Sequence, residues 1–398
     1  MNASAIVTGI GLETGLGRGR RTWEALLAGR SAIVRLGEER GFPADAPARF
    51  GAPLARPRAM DNLLDQLIAD ALNDANLCLP LSEQGIDPAR VGVAIGLSKG
   101  DLTRLRELVG RSDDEPDWTR FWPHGAASRV SGSLGTTGPC LAPVAACATG
   151  LVAALRGLEW IRRGQCDLVV VGGVDVSLDP LVIAAFARMN ALAKVDPAEP
   201  TAAMRPWCRD RSGFLVGEGG AILILESPTL ARRRGARSLA RLVGGAIGSD
   251  AFHPTNLDPD PRRLSDLILQ ALQDGLIRIR ELDHLNVHGT ATHSNDPLEC
   301  QAARRALGPQ ADRVVCVANK PQFGHLLGGA GAVELAVAVW TLLDQVVPPT
   351  LNTEPRDPVC DLRVVASRGE RTPIRTALKI SLGFGGHLAA AALRREEE

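Results

Sequence analysis

Short apolar runs alternate with segments in which apolar residues recur every three or four positions. Leu151, Leu155, Leu158 and Ile161 share one face of a predicted helix, which follows a strand-like run over 134–146. Buried strands are predicted at 6–11, 91–95, 168–174, 221–225, 239–247, 282–287, 314–318, 361–366 and 376–380, and helices near 22–29, 61–77, 261–276, 296–306 and 331–344. Because strands alternate with helices, the pattern predicts a layered α/β fold with largely parallel sheets.

The composition excludes several classes of protein. The chain has 398 residues, 45% of them hydrophobic, which is enough for one large core or two fused halves. Its 45 basic and 45 acidic residues give a formal net charge of 0, so no overall field favours nucleic acid or a membrane surface. No run approaches about 18 uninterrupted apolar residues, and the N-terminus enters a predicted strand without the features of a signal peptide. We therefore expect no membrane span and a cytoplasmic protein.

The eight cysteines form neither a metal-binding pattern nor a disulfide framework in the sequence. None belongs to a Cys-x-x-Cys pair or to a zinc-ligand set with histidine, so we expect no metal and no cofactor. Several, such as Cys166 and Cys316, lie in or beside apolar stretches and are typical of small core residues in a reducing compartment.

Cys147 is set apart by its surroundings. It lies in the small-residue run 143–150, where the predicted strand ends and the predicted helix begins. The unpaired N–H groups of a first helical turn carry partial positive charge, which stabilises a thiolate and lowers the pKa of the thiol. A lone cysteine is more often a structural core residue, but this position predicts a reactive thiol.

Two glycine-framed motifs downstream supply two histidines and a lysine. His288 opens the run His-Gly-Thr-Ala-Thr, and His325 closes the run Lys-Pro-Gln-Phe-Gly-His that begins at Lys320. Both histidines follow apolar runs and are predicted at strand ends, where α/β enzymes carry their chemistry. A last motif, Ser-Leu-Gly-Phe-Gly-Gly, spans 381–386. Each motif alone fits a turn or tight packing, whereas their order and spacing indicate one site.

With these motifs the chain resembles the elongating β-ketoacyl-acyl carrier protein synthases, which are condensing enzymes of the thiolase superfamily. The resemblance runs from the opening Ile-Val-Thr-Gly-Ile-Gly, through Arg205-Pro-Trp and Gly217-Glu-Gly, to the closing Gly-Phe-Gly-Gly. It implies a thiolase-like α/β fold in which two similar βα halves form a five-layered αβαβα core. The halves are expected at 1–240, carrying the nucleophile, and at 241–398, carrying both histidines and the lysine. Sequence repetition between the halves is too faint to support this division by itself.

The resemblance also implies a reaction. Cys147 accepts an acyl group from a thioester. His288 and His325 stabilise the enolate that forms when malonyl-acyl carrier protein loses CO₂, and the N–H groups of Cys147 and Phe384 form the oxyanion hole for the condensation. The product extends a fatty acid or a polyketide or polyene chain.

Supporting roles follow from the same resemblance. Gly383 and Gly385 let the Phe384 ring move as a gate to the acyl pocket. Lys320 is expected to bond Glu334 or its neighbours and to order the His325 loop. Asp296 and Glu299 either orient the 288–292 region or cap the following helix. The supporting residues of the site are thus Glu334, Asp296, Thr290 and Thr292.

The implied partner is an acyl carrier protein, an acidic protein that delivers its cargo on a phosphopantetheine arm. A neutral enzyme then needs a local basic rim near its tunnel mouth, for which the candidates are Arg58, Arg120, Arg129 and Arg205. The apolar strand near 141–146 is expected to pair with the same strand of a second subunit. That subunit is either a second copy, in a homodimer, or a homologous chain-length subunit, in a heterodimer.

Two alternative functions stay open. A non-decarboxylating thiolase needs a second catalytic cysteine near the C-terminus, and Cys360 lacks the glycine frame of such a residue. A non-catalytic, chain-length-determining subunit would lack the nucleophile, which this chain has together with both histidines. Departures from the family pattern, among them His387-Leu388 after the closing glycines and Cys208 after Arg-Pro-Trp, favour a specialised polyketide or polyene enzyme.

Overall fold

The computed structural model describes residues 4–43, 46, 48–56, 59–102, 105, 121–366 and 368–396. The helices within these ranges are α1 (Arg20–Leu27), α2 (Met60–Asp74), α3 (Gly125–Leu134), α4 (Thr149–Arg162), α5 (Pro180–Arg188), α6 (Pro228–Arg233), α7 (Arg262–Asp274), α8 (Asn295–Leu307), α9 (Lys320–Phe323) and α10 (Ala330–Asp344). The strands are β1 (Ala5–Thr14), β2 (Gly17–Arg18), β3 (Val34–Arg35), β4 (Phe50–Gly51), β5 (Val91–Gly96), β6 (Cys140–Leu141), β7 (Leu168–Asp175), β8 (Gly219–Glu226), β9 (Ala240–Ser249), β10 (His284–Asn286), β11 (Val315–Val317), β12 (Val346–Val347), β13 (Glu370–Arg371), β14 (Thr376–Gly383) and β15 (His387–Arg394).

Ten of the strands fall into two sets of five with the same topology. The first set has the spatial order β1-β8-β7-β5-β6, and the second has β9-β15-β14-β10-β11. When the five strands of a set are numbered by their order in the chain, their spatial order is first, fifth, fourth, second, third in both sets. In both sets the first two pairs are antiparallel and the last two are parallel. The two similar βα halves are confirmed, and the expectation of largely parallel sheets is wrong for half of these pairs.

Helices form three layers around the two sets of strands. α4 and α10 lie between the sets and contact strands of both. α2 and α3 cover the outer face of the first set, and α7 packs with α8 on the outer face of the second. The arrangement is the five-layered αβαβα core that the resemblance implies. The two sets join where Ala5–Val7 of β1 pairs with 240–242 of β9.

The segment Leu327–Asp344 is a long apolar helix in the part of the chain that the structure describes. By length and a hydropathy of 1.4 it is a candidate membrane span, but 89% of it is buried inside the protein. It contains α10, which packs between the two sets of strands. Its apolar side chains are therefore buried in the core, as expected for a helix in the middle one of the three helix layers.

Two predicted strands differ from the structure, and one observed strand was not predicted. Residues 125–134 are helical, and the strand expected up to Ala146 shrinks to β6, because glycines and prolines at 135, 138, 139 and 143 interrupt it. The run 361–366 forms only the bridge from Val364 to Cys316. β15 is a full strand that the sequence pattern missed: its four consecutive alanines, 389–392, have low strand propensity, yet they are buried between β14 and β9.

Candidate active site

Cys147 lies in a single 3-10 turn, Ala146–Ala148, that leads directly into α4. Ala146 has a φ of 46°, a left-handed conformation that is unusual for alanine and marks a sharp strand-to-helix turn. The turn is held by the Ala148 N–H, which donates to Ala145 O at 3.0 Å, and by the Ala145 N–H, which donates to Thr149 Oγ1 at 2.8 Å. The predicted helix start after Cys147 is confirmed, but the strand before it, β6, already ends at Leu141.

The predicted lowering of the Cys147 pKa is wrong. The pKa of this thiol is raised to about 11, with burial as the largest cause; Lys320 opposes the rise, Asp175 adds to it, and the Phe384 N–H group and Lys99 oppose it. The side chain is only 7% exposed, so desolvation of the thiolate outweighs what the turn and the lysines provide. The resting residue is therefore a thiol, and its proton must leave as it attacks.

The Gly-Phe-Gly-Gly motif forms the turn between β14 and β15, directly against the Cys147 turn. The Phe384 N–H donates a hydrogen bond toward the Cys147 sulfur, which helps to lower the thiol pKa. Gly383 has no room for a side chain, because a Cβ there would lie 2.6 Å from Ala145 O and 3.1 Å from Cys147 N. Gly385 has a φ of 83°, in the region that favours glycine. The turn thus brings the Phe384 N–H to the Cys147 sulfur and packs Gly383 against the Cys147 backbone.

His288 lies two residues beyond the end of β10, and a carboxylate fixes its backbone. The His288 N–H and the Gly289 N–H donate to the two oxygens of Glu299 at 2.6 and 2.7 Å. Lys320 Nζ lies 3.4 Å from His288 Nδ1. An ammonium can only donate, so Nδ1 accepts and the ring proton is on Nε2. Burial, followed by the charges of Lys320 and Lys379, holds the His288 pKa well below its usual range.

His325 follows α9 and faces His288. The two rings are edge to face with centroids 5.3 Å apart, and Phe214 packs edge-on against His325 at 5.0 Å. Its backbone is pinned by the His325 N–H to Leu215 O bond of 2.7 Å. Burial and the charges of Lys320 and Lys379 hold its pKa well below the usual value. Both imidazoles are therefore neutral donors, as the sequence-based mechanism requires.

Lys320 is fully buried and has two partners. Its ammonium donates to Glu334 Oε1 at 2.6 Å and to the backbone carbonyl of His288. The expected bond to Glu334 is present, but the lysine orders the His288 loop, rather than the His325 loop, by direct contact. Lys379, in the middle of β14, lies 2.7 Å from the other Glu334 oxygen. No sequence motif marks Lys379; a lysine inside a predicted buried strand was the available signal.

Asp296 orients the His288 loop, which was one of two expected roles. Its carboxylate accepts from the Ala291 N–H at 3.1 Å and from the Trp207 N–H at 2.9 Å. The N-cap residue of α8, Ser294, makes no side-chain cap bond, and the first N–H of the helix, that of Asn295, donates to Thr292 Oγ1 at 3.2 Å. Thr290 Oγ1 lies 3.0 Å from Thr292 Oγ1, and both threonines line the same cavity as the histidines.

Two cavities meet at Cys147 and Phe384. One of about 250 Å³ is lined by Cys147, His288, His325 and the two threonines, together with Phe384. The second, of about 270 Å³, has mostly apolar walls from Leu181, Val182, Ala185, Phe186, Leu327 and neighbouring residues, and it too reaches Cys147 and Phe384. The Phe384 ring, 6.4 Å from that of Phe186, therefore stands between them.

Two of the four arginines predicted to dock the carrier protein lie among the residues that the structure describes. Arg205 lines a charged cavity of about 370 Å³, which shares Ser212 and His293 with the histidine cavity. Arg129 forms an ion pair of 2.6 Å with Asp65 and lies on α3, in an outer helix layer. Arg58 and Arg120 lie outside the residues that the structure describes. Of the two that the structure describes, Arg205 is the one that lies next to the site.

Comparison with known proteins agrees with this architecture. The family described as "Beta-ketoacyl synthase, N-terminal domain" matches residues 3–231, and "Beta-ketoacyl synthase, C-terminal domain" matches residues 239–354. The chain therefore belongs to the β-ketoacyl synthase family. As a member it is a β-ketoacyl-acyl carrier protein synthase, an acyltransferase that catalyses condensation in fatty acid or polyketide chain elongation.

Individual relatives come from both kinds of pathway. The chain is 35% identical to 3-oxoacyl-[acyl-carrier-protein] synthase 2 of Mycobacterium tuberculosis, over 98% of this chain and 97% of the relative. It is 33% identical to the tetracenomycin polyketide synthase ketoacyl synthase alpha subunit of Streptomyces glaucescens, over 99% and 97%.

Two solved structures share the whole fold. A type II polyketide synthase acyl carrier protein in complex with its ketosynthase bound to the hexaketide superposes with a TM-score of 0.92 at 30% identity, covering 100% of both chains. The ishigamide ketosynthase/chain length factor gives a TM-score of 0.87 at 26% identity, again over 100% of both chains.

Proposed function

We propose that this β-ketoacyl synthase carries its growing chain on Cys147 and uses His288 and His325 to generate the attacking enolate. The observation that carries the proposal is that one cavity is lined by the buried thiol and by two neutral imidazoles with their rings 5.3 Å apart. A fixed pair of neutral donors is what the developing charge of an enolate oxygen needs, and one such donor is commonly worth on the order of 10²–10³ in rate.

The steps follow from the geometry. The Cys147 sulfur attacks the thioester carbonyl, the sulfur–carbon bond of the carrier breaks, and the carrier thiol leaves with the proton. The malonyl group then loses CO₂, and the electron pair left behind is held as an enolate by the His288 and His325 N–H groups. Its carbon attacks the acyl-Cys147 carbonyl, whose oxygen accepts from the Cys147 and Phe384 N–H groups. The carbon–sulfur bond breaks, the Cys147 thiolate leaves, and it takes up a proton from solvent to restore the thiol.

The character of the two cavities supports a binding side for each of the two substrates. The apolar cavity fits the acyl chain, and the polar one, with Thr290 and Thr292 on its wall, fits the phosphopantetheine arm and the malonyl group. Phe384 lies where the two meet and acts as the gate. The charged cavity around Arg205 adjoins the polar one and supports docking of an acidic carrier protein.

We further propose a cytoplasmic dimer, divided internally into halves at 1–240 and 241–398. β6 is the last strand of its set; its Leu141 is 40% exposed, and Val144, just after the strand, is 50% exposed. An unpaired apolar edge of this kind favours pairing with another chain. The second chain is another copy or a homologous chain-length subunit; sedimentation of the protein alone and with such a homologue distinguishes them.

The two alternative functions find less support. Cys360 is fully buried in the core of the second half beside Cys300, so it does not stand ready as the second cysteine of a thiolase. A non-catalytic chain-length subunit needs no assembled site, whereas here the thiol, both imidazoles and the Phe384 N–H converge.

Acyl transfer is the step to measure first. Incubation with a panel of acyl-carrier thioesters of different length and oxidation state should add one acyl group, detected by intact-mass spectrometry and mapped to Cys147. Cys147→Ala should show no addition, and the preferred acyl group indicates the pathway. Mapping of the acyl group to the exposed Cys78 instead would overturn the assignment of the nucleophile.

A further inference from the structure

A lysine and an aspartate lie together beside the Cys147 turn. Lys99 Nζ lies 3.1 Å from Asp175 Oδ1 and 3.2 Å from Ser98 Oγ, and it also bonds Ser177 Oγ. The Asp175 side chain is 3% exposed and that of Lys99 is 29% exposed. Lys99 belongs to the wall of the apolar cavity, but its ammonium is turned to Asp175 and the two serines. The lysine therefore lines the cavity with its alkyl stem.

Asp175 joins three segments that surround Cys147. It ends β7, and its Oδ2 accepts from Ser98 Oγ at 2.5 Å, in the loop after β5, and from the Gly328 N–H at 3.2 Å. Gly328 belongs to the turn that follows His325 and leads into α10. The fit is close, since a Cβ on Gly328 would lie 2.4 Å from Ser98 N. This one buried carboxylate is thus a common anchor for three loops.

The charge of that carboxylate acts on the thiol. Asp175 raises the pKa of Cys147 and Lys99 lowers it. Among the described residues, the other charged group that acts on Cys147 is Lys320, which lowers its pKa and belongs to a buried cluster with Glu334 and Lys379. His288 and His325 are neutral, as shown above. Without Lys99, the negative charge of Asp175 beside Cys147 would lose its direct partner.

We propose that Lys99 is a positioning residue of this site: it compensates Asp175, so that the three loops stay joined next to the acyl cavity without suppressing the reactivity of the Cys147 thiol. The inference rests on the proposed role of Cys147 and deepens it. A hydrocarbon chain in the apolar cavity then meets the stem of Lys99, and the ion pair behind it stays intact.

The test is the pH profile of Cys147 alkylation by iodoacetamide, read for this cysteine by peptide mass spectrometry. Lys99→Met keeps the length of the stem but removes the charge. Its profile should move to higher pH, with the rate at a fixed pH below the pKa falling about tenfold per pKa unit. Lys99→Arg should stay close to wild type. Arg263→Met, which removes a distant exposed cation of α7, is the matched control and should not move the profile.

A double variant separates charge compensation from cavity filling. Lys99→Met/Asp175→Asn removes both charges, so its profile should return towards wild type. An unchanged profile in Lys99→Met, or no recovery in the double variant, overturns the proposal. Should Lys99→Met not fold, Asp175→Asn alone gives the answer: its profile should move to lower pH, and an unmoved profile again overturns the proposal. Alkylation needs neither carrier protein nor malonyl group, so these results stand apart from a failure of condensation.

Discussion

Lys320 and Glu334 form an ion pair from which solvent is fully excluded, with Lys320 Nζ 2.6 Å from Glu334 Oε1. The second Glu334 oxygen faces Lys379 at 2.7 Å, and burial holds the pKa of Lys379 down to about 8. The same Lys320 ammonium bonds the carbonyl of His288. The Glu334 carboxylate of α10 thus pairs with both buried lysines, Lys379 of β14 and Lys320 of α9. Lys320 in turn holds the loop of His288.

Loss of that carboxylate should destabilise the whole protein. Glu334→Gln leaves two buried ammonium groups without a counter-charge, and breaking a buried pair in this way costs about 3–5 kcal/mol. Urea denaturation should show this fall in the free energy of unfolding. Glu370→Gln, which removes one partner of the exposed pair with Arg363, is the control and should change it little. Equal, small effects in the two variants would contradict the account of the cluster.

The raised pKa of Cys147 has a kinetic signature. Because the thiolate is the nucleophile and the thiol pKa is about 11, native alkylation of Cys147 should speed up about tenfold per pH unit from about pH 7 to 10. The rate is followed by peptide mass spectrometry with iodoacetamide. A plateau already reached near pH 7 would instead mean that the start of α4 dominates over burial, as the sequence alone suggested.

The gate turn should tolerate little at Gly385. Its φ of 83° is strained for any side chain, whereas a Cβ there would meet nothing closer than 3.6 Å. Gly385→Ala should therefore lower stability by about 1–2 kcal/mol through conformation alone, measured as a shift in the denaturation midpoint. Gly132→Ala is the matched control, since this helical glycine has open space around it and alanine there should stabilise by up to about 1 kcal/mol.

Glu299 should make stability depend on pH. Burial raises its pKa to about 7 in the folded protein from an ordinary value of 4.5. The folded state then binds this proton more tightly than the unfolded chain, so the contribution of Glu299 to stability falls as pH rises from about 4.5 to 7. Glu299→Gln cannot titrate, and its free energy of unfolding should lack that part of the decline. Parallel wild-type and variant curves across this range would contradict the assignment.

The sequence located the candidate site residues better than the architecture around them. Cys147, His288 and His325 could be predicted because small-residue and glycine-framed motifs mark strand ends. The repeated strand order could not, since it rests on pairing between distant segments such as β9 and β15, and the alanines of β15 resemble no strand. Residues that act through burial were missed for the same reason: nothing local in the sequence shows that Lys379 faces Glu334, or that Phe214 packs on His325.

The pKa of Cys147 depends on burial, which the residues next to it in the sequence do not reveal. A helix start favours a thiolate, and the sequence contains that signal at 147–149. Desolvation of the same sulfur depends on Gly383, Phe384 and the central helices closing over it, which only the folded chain provides. Desolvation outweighs the effect of the helix start on the Cys147 pKa, and desolvation is the effect that cannot be predicted from the local sequence.

The central claim is that the two histidines act on the malonyl enolate and Cys147 carries the acyl chain. It is tested by measuring both half-reactions in His288→Ala and His325→Ala, with acyl loading followed by intact mass and condensation by release of CO₂ and the β-ketoacyl product. Both variants should load an acyl group on Cys147 and lose condensation by on the order of 10²-fold or more. Near-normal condensation in either variant would remove that histidine from the mechanism and contradict the account.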